Sequence, residues 1–348
     1  MSWSDRDRSE AHRQGPARLF IVLPTWNAGP YLDEQLASLV AQTNHDWTLL
    51  VRDDGSRDDT PNTLRRWAAR DERITLLADD ARNLGAARGF GLLLQEAWHR
   101  GADFVACCDQ DDVWHPEKLA RQVAALQAEA AGSSHEPLLA ACGADLVDFR
   151  LRRFAVHRPP IANNTDSESL LASRLLRNVY PGLTLVANRA LLEAALPLPP
   201  GAAMHDWWLV LVAITHGRII PQLDALVQYR QHATNTIGFG FTAQRFVRPL
   251  TQPLKHWQTW SANQRAAFHQ MRELALRLCA NRTAPAASRT CAQSLLDALT
   301  DSHPRALTRW FTQRCRSLSM RDRLALRIMR GASRPDDRVL VRKLLEAG

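Results

Sequence analysis

Two hydrophobic periods alternate along the first third of the chain. The run "RLFIVLPTW" is apolar and β-branched and stops at a proline; in "NAGPYLDEQLASLVAQT" behind it, Leu32, Leu36, Leu39 and Val40 fall at helical spacing. The order repeats: "DWTLLVRDDGS" reads as a strand ending in acids, "DDTPNTLRRWAARD" as a helix opened by Asp and Pro, and "RITLLAD" as a strand. "NLGAARGFGLLLQEAWHRG" then reads as a helix closed by Gly101, and "ADFVACCDQDD" as the next strand. Four alternations predict right-handed βαβ units, hence an α/β fold with a mainly parallel sheet covered on both faces by helices.

Further on, "LLAACGADLVD", "LTLVANRALL" and "ALVQYRQH" are strand-like and "HDWWLVLVAITHG" is a helix candidate. After residue 241 the text turns to Arg, Leu, Ala, Trp and Gln at helical periodicity, broken at "NRTAPAAS", "DSHP" and "GASRPDD". The expected organisation is a polar tail over 1–17, an α/β domain over 18–240 and a basic helical region over 241–348. Charge sharpens that division, because residues 1–240 hold 24 Lys and Arg against 29 Asp and Glu, and residues 241–348 hold 20 against 7. The basic third suits an anionic partner, either a membrane surface or a phosphorylated substrate, or is a solvated surface. Nucleic acid is disfavoured, since no helix-turn-helix, RNA-binding signature or zinc spacing occurs. "ALTRWFTQRCRSLSMRDRLALRIMR" mixes Arg with Trp, Phe, Leu and Met, which fits an interfacial helix or one packed on the catalytic domain. No apolar run reaches the length of a membrane span, and the N-terminus lacks a secretory apolar core, so the expected location is the cytoplasm, with peripheral attachment to the inner face of the membrane as an option. The six cysteines lack paired-ligand spacing and read as reduced structural thiols.

In a sheet of this kind, ligands sit beyond the carboxyl ends of the strands. Thr25 and Asn27 follow the first strand, Asp53 and Asp54 the second, and Asp109, Asp111 and Asp112 the fourth, so all are expected on one rim. The D-x-D pair Asp109 and Asp111 offers hard oxygen ligands to Mg²⁺ or Mn²⁺, which are commonly held by one or two carboxylates together with substrate phosphates. Alone such a pair is a weak signal, and Asp112 equally suits the start of the helix in "HPEKLARQVAALQ". The glycines at 85, 89 and 91 do not have the spacing of a dinucleotide fingerprint.

Taken in order, "LPTWN", "VRDDGSRDDT", "RNLGAARGFG", "CDQDDVWHPEKL", "HDWW" and "YRQHATNTIG" resemble the succession in GT-A glycosyltransferases of family 2, especially bacterial rhamnosyltransferase-like members, over roughly residues 18–240. The resemblance implies a GT-A fold, a nucleotide-sugar donor, a divalent cation (Mg²⁺ or Mn²⁺) and inversion at the anomeric carbon. It implies donor contacts from Thr25, Asn27, Asp53 and Asp54 and from Asn83, Gly85 and Arg88, metal contact from Asp111, and ribose or metal contact from Asp109. It makes Asp206 the general base, a role that leaves room for helix capping by the same carboxylate. His205 stands where the family usually shows an acid. His232 would touch the metal or diphosphate. Gly182 and Thr184 would lie on the acceptor side, where Trp207 or Trp208 would stack on a sugar if not part of the core.

The expected activity is an inverting transfer of a sugar, L-rhamnose from dTDP-rhamnose in the first instance, to a hydroxyl of a lipid-linked or polysaccharide acceptor in bacterial surface glycan synthesis. The alternatives are a UDP-hexose or UDP-hexosamine donor, or a catalytically degenerate protein that binds a membrane surface.

Overall fold

The computed structural model describes residues 17–77, 82–130, 135–161, 167–232, 253–301, 303, 305–315 and 318–331. The expected tail and the proposed boundary at residue 240 lie outside these residues, apart from Ala17.

The first four strands are β1 (Leu19–Thr25), β2 (Trp47–Asp53), β3 (Ile74–Leu76) and β4 (Phe104–Cys107); β5 (Val113–Trp114), β6 (Leu138–Val147), β7 (Arg153–His157), β8 (Leu185–Asn188) and β9 (Arg218–Arg230) complete one sheet of order β3-β2-β1-β4-β8-β6-β9-β5, with β7 paired to β6. The β3-β2-β1-β4 half is parallel, as the alternation of strand and helix requires. The other half is mixed: β8 runs antiparallel to both β4 and β6, whereas β6 and β9 are parallel. Between Gln222 and Ala225, β9 carries two extra residues opposite the Cys142–Gly143 step of β6. A side chain at Gly143 would place its Cβ 2.9 Å from the Leu223 and Asp224 carbonyl oxygens, so the bulge needs glycine there.

The two-residue period of β1 sends alternate side chains into two apolar layers. Leu19, Ile21 and Leu23 pack with Leu32, Leu36 and Leu39 of α1 (Leu32–Val40) and with Leu119, Val123 and Leu126 of α4 (Lys118–Ala130). Phe20 and Val22 enter the opposite layer with Phe90, Leu93 and Leu94 of α3 (Ala86–His99). The helix between β2 and β3 is α2 (Thr60–Ala68), and α5 (Ser167–Leu176), α6 (Arg189–Ala195) and α7 (His205–His216) follow β7. α7 is apolar on every face, which suits a helix enclosed on all sides. The C-terminal helices complete that enclosure.

These are α8 (Pro253–Ala280), α9 (Ala286–Thr300), α10 (Ala306–Arg314) and α11 (Met320–Gly331). Phe268, Met271, Leu295, Trp310, Phe311, Leu326 and Met329 join the same layer as α3 and α7. The apolar stripe that suggested an interfacial helix is therefore largely spent on internal packing. Among the described residues no helix is long and apolar enough to cross a membrane.

Candidate active site at the sheet rim

Strand register brings the predicted residues to one rim. Thr25 and Asp53 are partners across β1 and β2, and the Thr25 hydroxyl donates to Asp53 Oδ1 at 3.0 Å. Ser56 donates to the same carboxylate through its backbone N–H at 2.9 Å and its hydroxyl at 2.6 Å. On the other side of β1, Val22 is level with Cys107, and the Cys108 N–H continues the ladder to the Val22 carbonyl. The acidic segment after β4 thus emerges beside Thr25 and Trp26. Gln110, between the two acids of the D-x-D pair, locks this junction: its Oε1 accepts the Trp26 N–H at 2.8 Å and its Nε2 donates to the Trp26 carbonyl at 3.2 Å.

Asn27 and Asp54 build the rim from within. Asn27 has φ +46, donates its backbone N–H to Ser56 Oγ at 2.8 Å and accepts the Arg57 N–H at 2.8 Å, fixing the loop after β1 against the loop after β2. Asp54, 5% exposed, is paired with the buried Arg52 and accepts the N–H groups of Leu84 and Gly85 at 2.8 Å. Its carboxylate is already bound inside the protein, where it anchors the segment that opens α3. Gly85 caps that helix at φ +75, and Asn83 and Arg88 are exposed around its N-terminus. Backbone N–H groups there, with the guanidinium, suit an anion.

Behind the rim stands the acidic cluster. Asp111 Oδ2 lies 2.8 Å from His232 Nε2, and the imidazole leans on the Tyr31 ring with centroids 4.8 Å apart. Arg230, 1% exposed, ties the cluster together: its backbone N–H donates to Asp112 Oδ1 at 2.9 Å, Nε to the Asp111 carbonyl at 2.8 Å and Nη1 to the Phe149 carbonyl at 2.9 Å, while Nη2 pairs with Glu34. Asp112 is fully buried, and burial together with the charges of Asp111 and Asp109 holds its carboxyl well above the usual range. It serves the β9 connection rather than the start of α4. Burial likewise pushes Asp109 up to about 8, with the negative charges of Asp111 and Asp206 adding to the effect.

The charge of Asp206 reaches Asp109 from the first turn of α7, so the segment after β4 and the start of α7 share one electrostatic environment. Asp206 accepts the Gly182 N–H at 3.1 Å and the Trp207 N–H at 2.6 Å, and burial raises its carboxyl to about 7 against an ordinary 3.8. Gly182 sits where a Cβ would come within 2.7 Å of His205 Nε2. His205 is stacked on Phe90 at 3.5 Å, is 3% exposed and, among the described residues, has no hydrogen-bond partner at either ring nitrogen. Burial keeps that imidazole neutral, its pKa brought down to about 3. Thr184 is fully buried with its hydroxyl on the Pro181 carbonyl at 2.7 Å, so it supports the turn beneath the site. Trp208 is core, its indole N–H on the Ala195 carbonyl, and Trp207 is half-buried with its own on the Arg174 carbonyl.

Asp53, Asp109, Asp111, His232 and Asp206 therefore surround one rim. Gln110 and Arg230, which organise it, were not singled out from sequence; the only signal was their place inside the acidic and "YRQH" motifs. Among the described residues no three His, Cys, Asp or Glu side chains already form a closed metal centre. The Asp111–His232 pair with Asp109 nearby supplies hard oxygen and imidazole donors, and mutual repulsion among the carboxylates suits a cation whose remaining ligands come from a phosphate.

Residues 20–154 match the family described as Glycosyl transferase family 2. The dTDP-rhamnosyl transferase RfbG of Shigella flexneri is 23% identical over 245 residues, 68% of this chain and 80% of that protein. The Escherichia coli UDP-Glc:alpha-D-GlcNAc-diphosphoundecaprenol beta-1,3-glucosyltransferase WfgD is 35% identical over 103 residues, 30% of this chain and only 38% of that relative's length. The crystal structure of S. aureus TarS 1-349 in complex with UDP-GlcNAc superposes with TM-score 0.54 at 16% identity, covering 95% of this chain and 91% of that one. Residues 20–154 thus match Glycosyl transferase family 2, and the chain shares the fold of the TarS structure, a GT-A-like arrangement.

Proposed function

We propose that this protein is an inverting glycosyltransferase of bacterial surface glycan synthesis, with residues 18–240 as its catalytic unit and residues 241–348 as a helical buttress. The observation that carries the reading is the convergence on one rim of carboxylates from separate elements: Asp109 and Asp111 beside His232, and Asp206 in the first turn of α7. Thr25, Asn27 and Asp53 form the wall for the nucleoside, and Asn83, Gly85 and Arg88 the exposed helix entrance for its diphosphate. Asp109, Asp111 and His232 would hold a divalent cation, which would supply charge stabilisation to the diphosphate. Asp206, with its carboxyl near neutrality, takes the proton of the acceptor hydroxyl as the oxygen attacks the anomeric carbon from the side opposite the diphosphate. A single displacement of this kind inverts configuration and needs only one base. Gly182, by keeping its N–H on Asp206 and leaving no side chain over it, aims that base.

For the donor we infer dTDP-rhamnose, because the Shigella relative bears that activity in its name and aligns over 68% of this chain. A UDP-hexose is the second reading, favoured by the higher identity to the Escherichia coli UDP-glucose enzyme over a shorter stretch. That enzyme's acceptor also motivates a lipid-linked acceptor here. A panel of nucleotide sugars scored by thermal shift with Mn²⁺ or Mg²⁺ tests both, since a ligand that binds only the folded protein raises its melting temperature. A dTDP-sugar selective shift supports the first reading, a UDP-sugar selective shift the second, and no shift with any donor contradicts both.

A further inference from the structure

The β6–β7 hairpin and the segment leaving it carry an exposed surface beyond the residues of the candidate site. Residues 148–161 contain four arginines against one aspartate. They also expose four large apolar side chains, Phe149 at 53%, Phe154 at 48%, Val156 at 37% and Ile161 at 50%. Ala155 packs into a core layer, so the two-residue period turns Phe154 and Val156 outward on the other face of β7. Arg152 and Arg153 pair with Asp148 and Asp145, whereas the guanidinium of Arg150 lies over the Phe149 ring and Arg158 is exposed.

Both ends of this surface reach the candidate site. At one end the Phe149 carbonyl is held by Arg230, whose Nε holds the Asp111 carbonyl. At the other the Pro160 carbonyl accepts from the Tyr180 hydroxyl at 3.2 Å, and Tyr180 lies in the turn whose Gly182 N–H supports Asp206. An apolar and cationic face is therefore tied through its backbone to the surroundings of both Asp111 and Asp206.

From this we propose that the β6–β7 hairpin docks the cleft onto an anionic lipid bilayer, with Phe149, Phe154, Val156 and Ile161 entering the interface and Arg150 and Arg158 meeting the headgroups. The apolar residues select the bilayer over a soluble polyanion, which would need the arginines alone, and the arginines disfavour a second copy of the same face. The inference deepens the glycosyltransferase reading by explaining how a lipid-linked acceptor is met. It also moves membrane contact away from the C-terminal helices, whose apolar side chains are mostly internal.

Flotation of the full chain with phosphatidylcholine vesicles, with and without phosphatidylglycerol, tests it without donor, acceptor or metal. Binding is expected only to the anionic vesicles and to weaken at high salt. Phe149→Ser with Phe154→Ser, and separately Arg150→Ser with Arg158→Ser, should each lower the partition coefficient about tenfold or more, two headgroup-facing arginines alone accounting for a loss of that size. Arg323→Ser with Arg327→Ser on α11 should leave it unchanged. Unaltered urea midpoints confirm that the hairpin variants fold, and unaltered transfer to a soluble acceptor separates docking from chemistry. Absence of vesicle binding, binding that survives both hairpin variants, or loss confined to the α11 variant would overturn the inference. None of these results bears on Asp206 as the base, and Asp206→Asn should float like the parent chain.

Discussion

Replacing Asp206 by Asn tests the site through stability and activity together. In the folded protein the carboxyl titrates near 7 because it is buried, whereas in the unfolded chain it returns to about 3.8. A raised carboxylate leaves stability intact below the unfolded value, erodes it as pH climbs from about 4 to 7, and exacts the full penalty above. At 1.36 kcal/mol per pH unit that penalty is about 4 kcal/mol. Asn cannot ionise, but both carboxylate oxygens accept backbone N–H groups, from Gly182 and Trp207, and an amide must turn its NH₂ toward one of them. That mismatch costs about 1–3 kcal/mol. The protonated acid suffers a comparable mismatch at low pH, so parent and variant should be nearly equal at pH 4.5. At pH 8.5, where the full penalty falls on the parent alone, the variant should be more stable by about 4 kcal/mol, measured by urea unfolding in EDTA. In transfer assays the same variant should lose about two to four orders of magnitude in turnover while keeping donor affinity. A stability difference that does not change between the two pH values would refute the buried, raised carboxylate. Near-normal turnover would refute its role as base.

Asp111→Asn should abolish cation-dependent donor binding, checked by calorimetric titration of nucleotide in Mn²⁺ and in EDTA, with little change in the unfolding midpoint. Gly182→Ala would put a methyl group 2.7 Å from His205 Nε2, so the turn must shift and carry the Asp206 contact with it; turnover should fall at least tenfold while donor affinity holds, read from steady-state kinetics. Arg230→Met removes the hydrogen bonds to the Asp111 and Phe149 carbonyls and should cost about 2–4 kcal/mol in denaturant unfolding. Lys118 is fully buried, lies over the Trp114 ring at 3.9 Å and has no hydrogen-bond partner at Nζ among the described residues, and burial lowers its pKa. The unfolded chain then binds the extra proton, so this lysine makes stability rise with pH. Lys118→Met should stabilise the protein at pH 7 and lose that advantage toward pH 10, measured as urea midpoints across the range.

The N-terminal half of the fold was legible because its signals are local. Alternating apolar runs, the prolines that open helices and Gly101 all act within a few residues, and they placed β1 to β4 with the helices between them. The rim followed from topology, since parallel strands end on the same side. Strand direction beyond β4 has no local signature, so the antiparallel entry of β8 was not foreseen. "ANRALL" was read as continuing a strand, but the Asn188 side chain accepts the Leu191 N–H and starts α6 there. The family resemblance implies a donor contact from Asp54 as well as from Asp53. The two-residue period instead puts it on the face of Arg52, where it is bound to the segment before α3. Asp112 and Arg230 are 118 residues apart, a distance at which no spacing rule operates. The C-terminal helices displayed the right periodicity, but periodicity does not say whether an apolar stripe faces lipid or a neighbouring helix.

In the proposed mechanism, carboxylates from the segment after β4 and the imidazole just beyond β9 would hold a cation that a sugar nucleotide's phosphates complete. The most direct test of this is Mn²⁺ electron paramagnetic resonance of the parent chain titrated with dTDP or UDP. The account predicts weak Mn²⁺ binding alone, marked tightening with the nucleotide, loss of that tightening in Asp111→Asn and in His232→Ala, and its retention in Asp206→Asn. Equal Mn²⁺ affinity with and without nucleotide, or a response indifferent to Asp111 and His232, would contradict it.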